Sequence, residues 1–477
     1  MAVVGSTLQG RAEAREALYR RYRSKIVPNG ELDRTLVSFQ ANRKRSFYRW
    51  LKYKEAFSAK FVEYIIKRFT KEGGVLLDPF AGVGTALFEA RELGWDAIGI
   101  ELLPVGFFLM DARLAAERVG RVTFRRSLAR IEGMDWKACI KGGRRFEHIP
   151  ITEGAFPIET RRELEGFCAY MRGLRDANLA KVFKLAGLAV LEEISYTRKD
   201  GQYLRWDHRA RKPRVKSSFN KGRLVPFGTA IKKKLREIYS DLFENGVSGL
   251  FDGSREKVEP GNLDLRKGSC LEILPGMRDE SVDLVITSPP YCNRYDYTRT
   301  YALELVYLGL DAEDVKKLRQ TMLSCTVENH PKLRELEELY RRIGRSETMG
   351  KVLKVVEGQA SLREVLDILD ELGSLGQLNN VNIPKMVKNY FLEMGFVIYE
   401  LARLLRRGGK VVMVNDNVRY AGEEVPVDLI LSDFARRFGL LTKNIWVLPR
   451  GKGNSSQQMG CHGRHELRKC VYVWEKA

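Results

Sequence analysis

The sequence lacks the features that would place a protein in a membrane or outside the cell. None of its apolar stretches is long and charge-free enough to span a bilayer. The N-terminus shows no cleavable signal pattern, because its short apolar start precedes the charged residues. The 7 cysteines are an odd number and lie scattered without closely spaced pairs, which indicates free thiols in a reducing compartment. We therefore expect a cytoplasmic protein that makes no contact with a membrane.

Motifs for metals, nucleotides and repeats are missing as well. Cys461, His462, His465 and Cys470 near the C-terminus match no common zinc spacing, so we expect no metal site. The chain has neither a GxGxxG fingerprint nor the phosphate-binding lysine of a P-loop, which excludes the usual dinucleotide and ATP sites. Internal repeats are absent too.

Basic residues, in contrast, are abundant. Lysine and arginine total 82 against 61 aspartate and glutamate residues, which gives a net charge of +21. An excess of this size indicates a polyanionic partner, although charge that only keeps the protein in solution is the alternative. The hydrophobic fraction of 44% is that of an ordinary globular protein.

Short apolar runs alternate with helical patterns in the first hundred residues. Apolar side chains recur at helical spacing from Phe57 to Phe69, and a β-capable run follows from Val75 to Leu77. That run breaks at Asp78 into a glycine-containing loop, which leads into a helical stretch and then into a second strand that ends at Glu101. This β-loop-α-β order is typical of a doubly wound α/β fold.

The first candidate site is the loop DPFAGVGT, residues 78–85. It lies between a predicted strand and a predicted helix, at the carboxyl edge of the sheet, where α/β folds bind ligands. Its glycines let the backbone approach a ligand closely, and Glu101 stands where such folds bind a ribose diol. A carboxylate, a tight glycine turn and a diol acceptor suit a cationic, ribose-bearing cofactor better than a pyrophosphate.

The second candidate site is the sequence TSPPY, residues 287–291, at the end of the apolar run VDLVI. Pro289 and Pro290 fix φ and remove two backbone donors, so the strand end presents carbonyl oxygens without competing N–H groups. Ser288 adds a hydroxyl, and Tyr291 adds an aromatic ring. The pattern predicts a rigid set of hydrogen-bond acceptors beside a stacking surface.

Together, DPFAGVGT and TSPPY resemble the cofactor and catalytic motifs of the DNA amino-methyltransferases, the second motif in its cytosine-N4 form. The similarity covers about residues 46–105, 263–300 and 383–475. It implies a Rossmann-like methyltransferase fold, which is an α/β fold with a mostly parallel, seven-stranded sheet, carrying a large inserted domain and a helical insertion. It also implies S-adenosylmethionine (AdoMet) as the cofactor and double-stranded DNA as the partner.

The resemblance also implies which residues bind AdoMet. The glycine loop would hold its methionine part, Glu101 its ribose and Leu102 one face of its adenine. The segment FYRWLKYKEAFS stands where the family has a capping segment before the loop. The turn KGSC takes the adenine-edge position, where many members carry an aspartate. The predicted cofactor residues are Lys54, Phe57, Ser58, Asp78, Pro79, Phe80, Gly82, Gly84, Thr85, Glu101, Leu102 and Ser269.

The same resemblance implies a catalytic role for Ser288, Pro289, Pro290 and Tyr291. The exocyclic amine of a base is a poor nucleophile because its lone pair is delocalised into the ring. Methyl transfer therefore needs groups that accept hydrogen bonds from the amine as it becomes cationic. Ser288 Oγ and the Pro289 carbonyl can accept, and Tyr291 can stack on a base that has left the helix.

Serine at the first catalytic position favours cytosine N4 over adenine N6, for which the family uses aspartate or asparagine. Carbon-5 methylation is excluded, because no Pro-Cys dipeptide supplies its cysteine nucleophile. We therefore predict that the protein methylates N4 of flipped cytosines in duplex DNA. It would act either as the partner of a cognate restriction endonuclease or as a solitary methylase. The alternatives are adenine-N6 methylation, RNA amino-methylation and a DNA-binding regulator without catalysis.

A DNA-binding region is predicted between the two motifs. From Arg198 to Arg236 basic residues greatly outnumber acidic ones, and interleaved aromatic residues add surfaces for unstacked bases. A solvated charged loop is the alternative. We also expect Asn415, Asp416 and Asn417, at the end of a later strand, to line the target pocket. The predicted DNA contacts are Arg198, Lys199, Tyr203, Arg205, Trp206, Arg209, Arg211 and Lys212.

Two insertions separate the parts of the chain that resemble the family. The segments between and around them give six predicted divisions of the sequence. These are a helical N-terminal extension (1–45), an AdoMet-binding part (46–105), an inserted target-recognition region (106–260), a catalytic-motif part (261–299), a helical insertion (300–380) and the remainder of the catalytic domain (381–477).

Overall fold

The computed structural model describes residues 12–70, 73–140, 147–200, 203–210, 218–244, 259–449 and 467–477. Its strands are β1 (Ile26–Pro28), β2 (Val75–Asp78), β3 (Asp96–Glu101), β4 (Thr197–Asp200), β5 (Tyr203–Trp206), β6 (Leu263–Lys267), β7 (Val282–Thr287), β8 (Leu405–Asp416), β9 (Val418–Tyr420), β10 (Glu423–Val425), β11 (Leu440–Val447) and β12 (Lys469–Lys476). Its helices are α1 (Glu13–Tyr22), α2 (Ala59–Phe69), α3 (Thr85–Glu92), α4 (Pro104–Arg118), α5 (Arg121–Ile131), α6 (Ile158–Arg172), α7 (Ala177–Ile194), α8 (Phe227–Phe243), α9 (Cys270–Ile273), α10 (Tyr297–Thr300), α11 (Ala302–Leu308), α12 (Ala312–Thr321), α13 (Leu333–Arg342), α14 (Glu347–Glu357), α15 (Ala360–Ser374), α16 (Ile383–Leu404) and α17 (Val427–Arg437). None of these described helices is long and apolar enough to cross a membrane.

One mixed sheet organises the described ranges. Its eight strands follow the order β6-β3-β2-β7-β8-β12-β11-β1. Neighbours run parallel except at β12, which is antiparallel to both β8 and β11. The order runs outward in opposite directions from β2 and β7, so the topological switch point lies between these two strands. The Rossmann-like methyltransferase fold predicted from the sequence is confirmed.

The sheet has one strand more than predicted. Ile26–Pro28, in the N-terminal segment expected to be only helical, forms β1 and pairs in parallel with β11. A strand of three residues is too short to show an alternating pattern in the sequence. Pro28 is tolerated because β1 lies at the edge of the sheet, where one missing N–H donor breaks no ladder on the outer side.

Alternate residues of the central strands face two helical layers. On β2, Leu76 packs in a hydrophobic cluster with residues of α2 and α3, whereas Leu77 packs in a second cluster with residues of α16 and α17. The same alternation recurs on β7, where Leu284 belongs to the first cluster and Val285 to the second. Parallel strands buried on both faces by helices are the arrangement expected of this fold.

The long segment between the two motifs adds a further helical body. Helices α4 to α8 pack around a third cluster that includes Trp136, Phe167 and Phe183, and β4 and β5 form a hairpin beside them. This cluster extends to Trp50 and Tyr53, which precede α2. The insertion is therefore packed directly against the chain that leads into the cofactor loop.

A buried ion pair joins the insertion to the chain before α2, and its contribution to stability can be tested. Asp241 on α8 has a fully buried side chain that accepts hydrogen bonds from the Arg49 guanidinium and, at 2.9 Å, from Trp50 Nε1. We expect Asp241→Asn to lower the free energy of unfolding by about 2 kcal/mol, because it leaves a partly buried guanidinium without its counter-charge. Urea denaturation measures this change.

Asp264→Asn is the matched control for this substitution. Asp264 pairs with Arg266 on the exposed side of β6, with about half of its side-chain surface in solvent (49%), and such pairs contribute between 0 and about 1 kcal/mol. Equal losses for Asp241→Asn and Asp264→Asn would contradict the proposed importance of the buried pair.

Candidate active site

A cavity of about 440 Å³ opens at the carboxyl ends of β2, β3, β6 and β7. Its walls are the loop after β2, the end of β3, the turn after β6 and TSPPY after β7, and the chain from Tyr53 to Phe57 also lines it. The position is the topological switch point, where open α/β sheets bind ligands. The volume falls within the range of about 300–1,000 Å³ that is usual for small-molecule sites.

Most predicted cofactor residues and all four predicted catalytic residues line this one cavity. Ser58 and Gly84 are the two members of the cofactor set that lie off its wall. The lining members are Lys54, Phe57, Asp78, Pro79, Phe80, Gly82, Thr85, Glu101, Leu102 and Ser269, together with Ser288, Pro289, Pro290 and Tyr291.

Ser58 and Gly84 support the wall instead of forming it. Ser58 caps α2, since its Oγ accepts from the Phe61 amide at 3.1 Å and donates to the Leu36 carbonyl at 2.5 Å. Gly84 caps α3 with φ of +75°, a left-handed conformation that favours glycine. A Cβ at Gly84 would lie 2.8 Å from Met110 Sδ, so the helix could not pack as it does with a larger residue there.

Glu101 binds the glycine loop through one carboxylate oxygen and the Leu103 amide, just before α4, through the other. The Gly82 amide donates to Oε2 at 2.5 Å, and the Leu103 amide donates to Oε1 at 2.6 Å. Burial raises the pKa of Glu101 to about 8, although these amide donors lower it in part. A ligand that brings positive charge or hydroxyl donors would favour the ionised form.

Asp78 connects the two motifs directly. Thr287 Oγ1 donates to Asp78 Oδ1 at 2.7 Å, and the Phe80 amide donates to the same oxygen at 3.1 Å. Burial raises the pKa of the Asp78 carboxyl to about 7, against the effect of these two donors. Because Asp78 ends β2 and Thr287 ends β7, the cofactor loop and the catalytic motif start from one hydrogen-bonded point.

The catalytic motif leaves the sheet immediately after Thr287. Ser288 Oγ donates to the Tyr291 hydroxyl at 3.4 Å, and both side chains line the cavity. Burial raises the pKa of Tyr291, so its phenol stays neutral at physiological pH. An amine that enters here meets hydroxyl and carbonyl acceptors next to an aromatic ring.

Thr85 Oγ1 in the wall is buried and has no hydrogen-bond partner within the part of the chain that the structure describes. Together with the carboxyls of Asp78 and Glu101, it gives the cavity acceptors for ammonium and hydroxyl groups. The residues present therefore fit a cationic, ribose-bearing cofactor such as AdoMet. The same described ranges contain no group of His, Cys, Asp and Glu that could hold a metal ion.

Sequence reasoning missed part of the cavity. Glu55 lines it and accepts hydrogen bonds from the hydroxyls of Tyr295 and Tyr301. Lys469, the first residue of β12, also lines it and lies 3.7 Å from Asp416 Oδ1. Glu55 lies in the predicted capping segment FYRWLKYKEAFS but was not among its predicted contacts, and Lys469 belongs to no motif. The position of Lys469 follows only from the antiparallel register of β12 on β8, which the sequence does not reveal.

Of the three consecutive polar residues at the end of β8 and directly after it, only the middle one lines the cavity. Asp416 does so, as predicted for all three. Asn415 Nδ2 donates to the Tyr390 hydroxyl at 3.0 Å, and Asn417 Nδ2 donates to Glu424 at 2.9 Å. Successive residues of a strand point to opposite faces, so the outer two turn away from the cavity.

The DNA-contact prediction needs correction at two positions. Lys199 is buried, where its ammonium pairs with Glu304 at 2.6 Å and lies 4.0 Å from the centroid of the Tyr301 ring. Trp206 is buried in the core of the insertion. Neither side chain is presented to a nucleic acid, because basic and aromatic composition alone does not separate surface residues from packed ones.

The other predicted contacts divide between surface and undescribed positions. Arg198, Arg205 and Arg209 are exposed. Arg205 stacks on Phe219 at 4.5 Å, and Arg209 pairs with Asp207 at 2.7 Å. Arg211, Lys212, Cys461, His462, His465 and the side chain of Tyr203 lie outside the described residues.

Basic side chains cluster near Lys54 on the cavity wall, among them Arg198, which was predicted to contact DNA. Lys54 lines the cavity, and the exposed Lys52 lies near it. The pKa of Lys52 is lowered, first by its partial burial and then by the positive charges of Lys54, Arg43 and Arg198. These four residues, termed the basic rim, come from two separate parts of the chain, and Lys54 is the member that lines the cavity.

The sequence of this chain matches one family model and is similar to several known proteins. A model of the family described as DNA methylase, of the N6/N4 type, matches residues 16–104. The type II methyltransferase M.AvaI of Nostoc sp. is 43% identical over 468 residues, which are 97% of this chain and 93% of that protein. The type II methyltransferase M.BsoBI of Geobacillus stearothermophilus is 39% identical over 93% of this chain and 88% of that protein. The type II methyltransferase M.MjaII of Methanocaldococcus jannaschii is 37% identical over 62 residues, 13% of this chain and 12% of that protein. No solved structure gave a match.

The buried carboxyls make the stability of the ligand-free protein depend on pH. A carboxyl whose pKa is raised by folding stabilises the fold below its unfolded pKa, and this contribution is lost as the pH rises through the folded value. For Glu101 this window runs from 4.5 to about 8. We expect the free energy of unfolding to fall across the window, and Glu101→Gln to make that fall shallower by up to about 1.4 kcal/mol per pH unit.

Urea titrations at a series of pH values measure the slope. Asp264→Asn, which changes an exposed carboxyl of the neighbouring strand, is the control and should keep the wild-type slope. A Glu101→Gln slope equal to that of the wild type would contradict the raised pKa.

Proposed function

Because the chain belongs to the family of DNA amino-methyltransferases, we propose that it transfers a methyl group from AdoMet to the exocyclic N4 of cytosine in duplex DNA. Its relationship to type II methyltransferases over nearly the full chain makes it a DNA-methylating enzyme. The observation that carries the finer proposal is the single cavity in which the glycine loop and Ser288 meet.

The acceptors of TSPPY support chemistry on an amine. Ser288 Oγ and the Pro289 carbonyl accept hydrogen bonds from the two amine hydrogens. These bonds draw the nitrogen lone pair out of conjugation with the ring and direct it toward the methyl donor. When bound, AdoMet would supply an electrophilic methyl group and leave as the neutral thioether. The buried residues Asp78, Thr85 and Glu101 would hold and orient the cofactor.

The neutral serine supports cytosine over adenine. An aspartate at the same position would be the first sign of an adenine-N6 enzyme, which remains the nearest alternative. Tyr291 provides a ring on which a flipped base of either kind can stack. RNA amino-methylation and a regulator without catalysis are less well supported, because the relatives are named as type II methyltransferases and both motifs are intact.

The basic rim and the exposed arginines Arg198, Arg205 and Arg209 are proposed to contact the DNA backbone. Cationic groups at the mouth would hold phosphates beside the flipped nucleotide. Type II methyltransferases are paired with restriction enzymes, so we also propose a cognate endonuclease as the functional partner, in the cytoplasm. The inserted region of residues 106–260 is proposed to recognise the target sequence.

One assay tests the proposed reaction. The protein is incubated with labelled AdoMet and either plasmid DNA or tRNA, the nucleic acid is digested, and the methylated nucleoside is identified by mass. We expect N4-methylcytosine from DNA and none from tRNA. N6-methyladenine from DNA would contradict the cytosine assignment, label in tRNA alone would contradict the DNA substrate, and no label in either would favour a regulator.

Ser288→Ala tests the role of the hydroxyl acceptor. We expect kcat to fall by roughly 100-fold, the usual effect of removing one preorganised hydrogen bond to the transition state, while AdoMet affinity is unchanged. Ser374→Ala, which removes an exposed hydroxyl at the end of α15, is the control and should match the wild type. Full activity in Ser288→Ala would remove the hydroxyl from the mechanism.

Charge removal at the basic rim tests the DNA-binding surface. Lys52→Gln and Arg198→Gln should each weaken DNA binding and reduce the slope of log K against log salt by about 1, because each cation contacts about one phosphate. Lys351→Gln, on the exposed side of α14, is the charge-matched control. A slope that is unchanged in the rim variants would place the DNA on another face.

A further inference from the structure

The end of the cavity beside β8 and β12 carries two charged residues that the proposed mechanism leaves without a role. Lys469 begins β12 and Asp416 ends β8, and the two are register partners across this antiparallel pair. Both line the cavity with Ser288 and Tyr291. In the sheet order, β8 and β12 lie beyond β7, on the side opposite the cofactor strands β2, β3 and β6. This is the part of the cavity that is left for the target base.

Both side chains are built into the pocket wall. That of Lys469 is 20% exposed and that of Asp416 is 7% exposed. Lys469 Nζ lies 3.7 Å from Asp416 Oδ1, longer than the about 2.8 Å of a charge-assisted hydrogen bond. It also lies 5.9 Å from the centroid of the Tyr291 ring. An ammonium has three donors, and among the described residues 12–449 and 467–477, with their gaps, the carboxylate contact at this distance does not use them all.

The lysine is charged at neutral pH. Burial lowers the pKa of Lys469, but Tyr291 and Asp416 raise it, and the net shift is upward. A charged group that loses most of its water needs acceptors in exchange. Asp416 provides one acceptor, and a ligand beside Tyr291 can provide others.

We propose that Lys469 recognises the target base through hydrogen bonds, and that Asp416 positions the Lys469 ammonium. This inference rests on the proposed function, because it takes the amine of the base to be held at Ser288. Beyond that amine, the Watson–Crick edge of cytosine continues with two adjacent acceptors, the ring N3 and the carbonyl O2. The Lys469 ammonium donates to both.

Adenine presents a different edge to the same ammonium. Its N6 amine is followed by one acceptor, N1, and then by a C–H group. One donor of Lys469 would then be buried without a partner, which disfavours the complex. A pair of contacts to one base discriminates by roughly 10- to 100-fold. Lys469 thereby adds a selection for cytosine at the ring edge, whereas Ser288 contacts only the exocyclic amine.

A cycle of residue and base changes tests this role. Lys469→Met removes the ammonium and keeps an unbranched side chain as far as Cε. Lys410→Met is the matched control, because Lys410 pairs with Glu475 at 3.2 Å at the opposite end of the same two strands. For each protein, kcat/KM is measured on duplexes whose target base is cytosine, 3-deazacytosine, which lacks N3, or adenine, within the sequence that the wild type methylates. The product is identified by nucleoside mass.

We expect the wild type to prefer cytosine over both other bases. In Lys469→Met each preference should fall by roughly 10- to 100-fold, while AdoMet affinity stays near its wild-type value. Lys410→Met should retain both preferences. Asp416→Asn keeps Lys469 but removes the negative charge that positions its ammonium, so it should lower the same preferences by a smaller factor. This variant replaces Lys469→Met in the test if Lys469→Met does not fold.

Unchanged preferences in Lys469→Met or, if that variant is unfolded, in Asp416→Asn would overturn the inference. An equal loss on all three bases would overturn it as well, since that pattern marks a structural role. N6-methyladenine as the wild-type product on natural DNA would contradict the proposed function itself, so the two failures are distinguishable in one digest.

Discussion

Both motifs depend on a hydrogen bond between the ends of two neighbouring parallel strands. Thr287 Oγ1 donates to Asp78 Oδ1 at 2.7 Å, where β2 and β7 pair with Leu76 opposite Leu284. A shift of one residue in this register would turn every side chain of the strand to the other face. The buried register therefore fixes where DPFAGVGT and TSPPY leave the sheet, and it brings the cofactor loop and the catalytic acceptors to one cavity.

Acidic and basic side chains lie at opposite ends of this cavity, and each end suits the ligand proposed for it. The cofactor side carries the buried carboxyls of Asp78 and Glu101, whose pKa values are raised by burial. A cationic ligand offsets that cost by stabilising their ionised forms. The catalytic position itself is a neutral hydroxyl, and the far end holds the ammonium of Lys469. The basic rim is the proposed contact for the phosphates, so a nucleotide would meet positive charge before the neutral acceptors.

The fold and the centre of the site were predictable, whereas their surroundings were not. Strands β2, β3 and β7 have apolar runs that end in distinctive loops, so local sequence identifies them. Strand β1 is too short to show a pattern. Lys199 and Trp206 were predicted to contact DNA, but long-range packing against Glu304 and the insertion core buries them. Lys469 and Asp416 meet only through strand register, which links residues far apart in the sequence.

The most direct test is a crystal structure of the protein with a non-reactive AdoMet analogue and duplex DNA that contains the methylated site. The account predicts one flipped cytosine in the cavity, with its N4 hydrogen-bonded to Ser288 Oγ and the Pro289 carbonyl. The analogue should lie against Asp78 and Glu101, with its transferable position about 3–3.5 Å from N4. A target base that remains stacked in the duplex, or one bound without contact to Ser288, would contradict it.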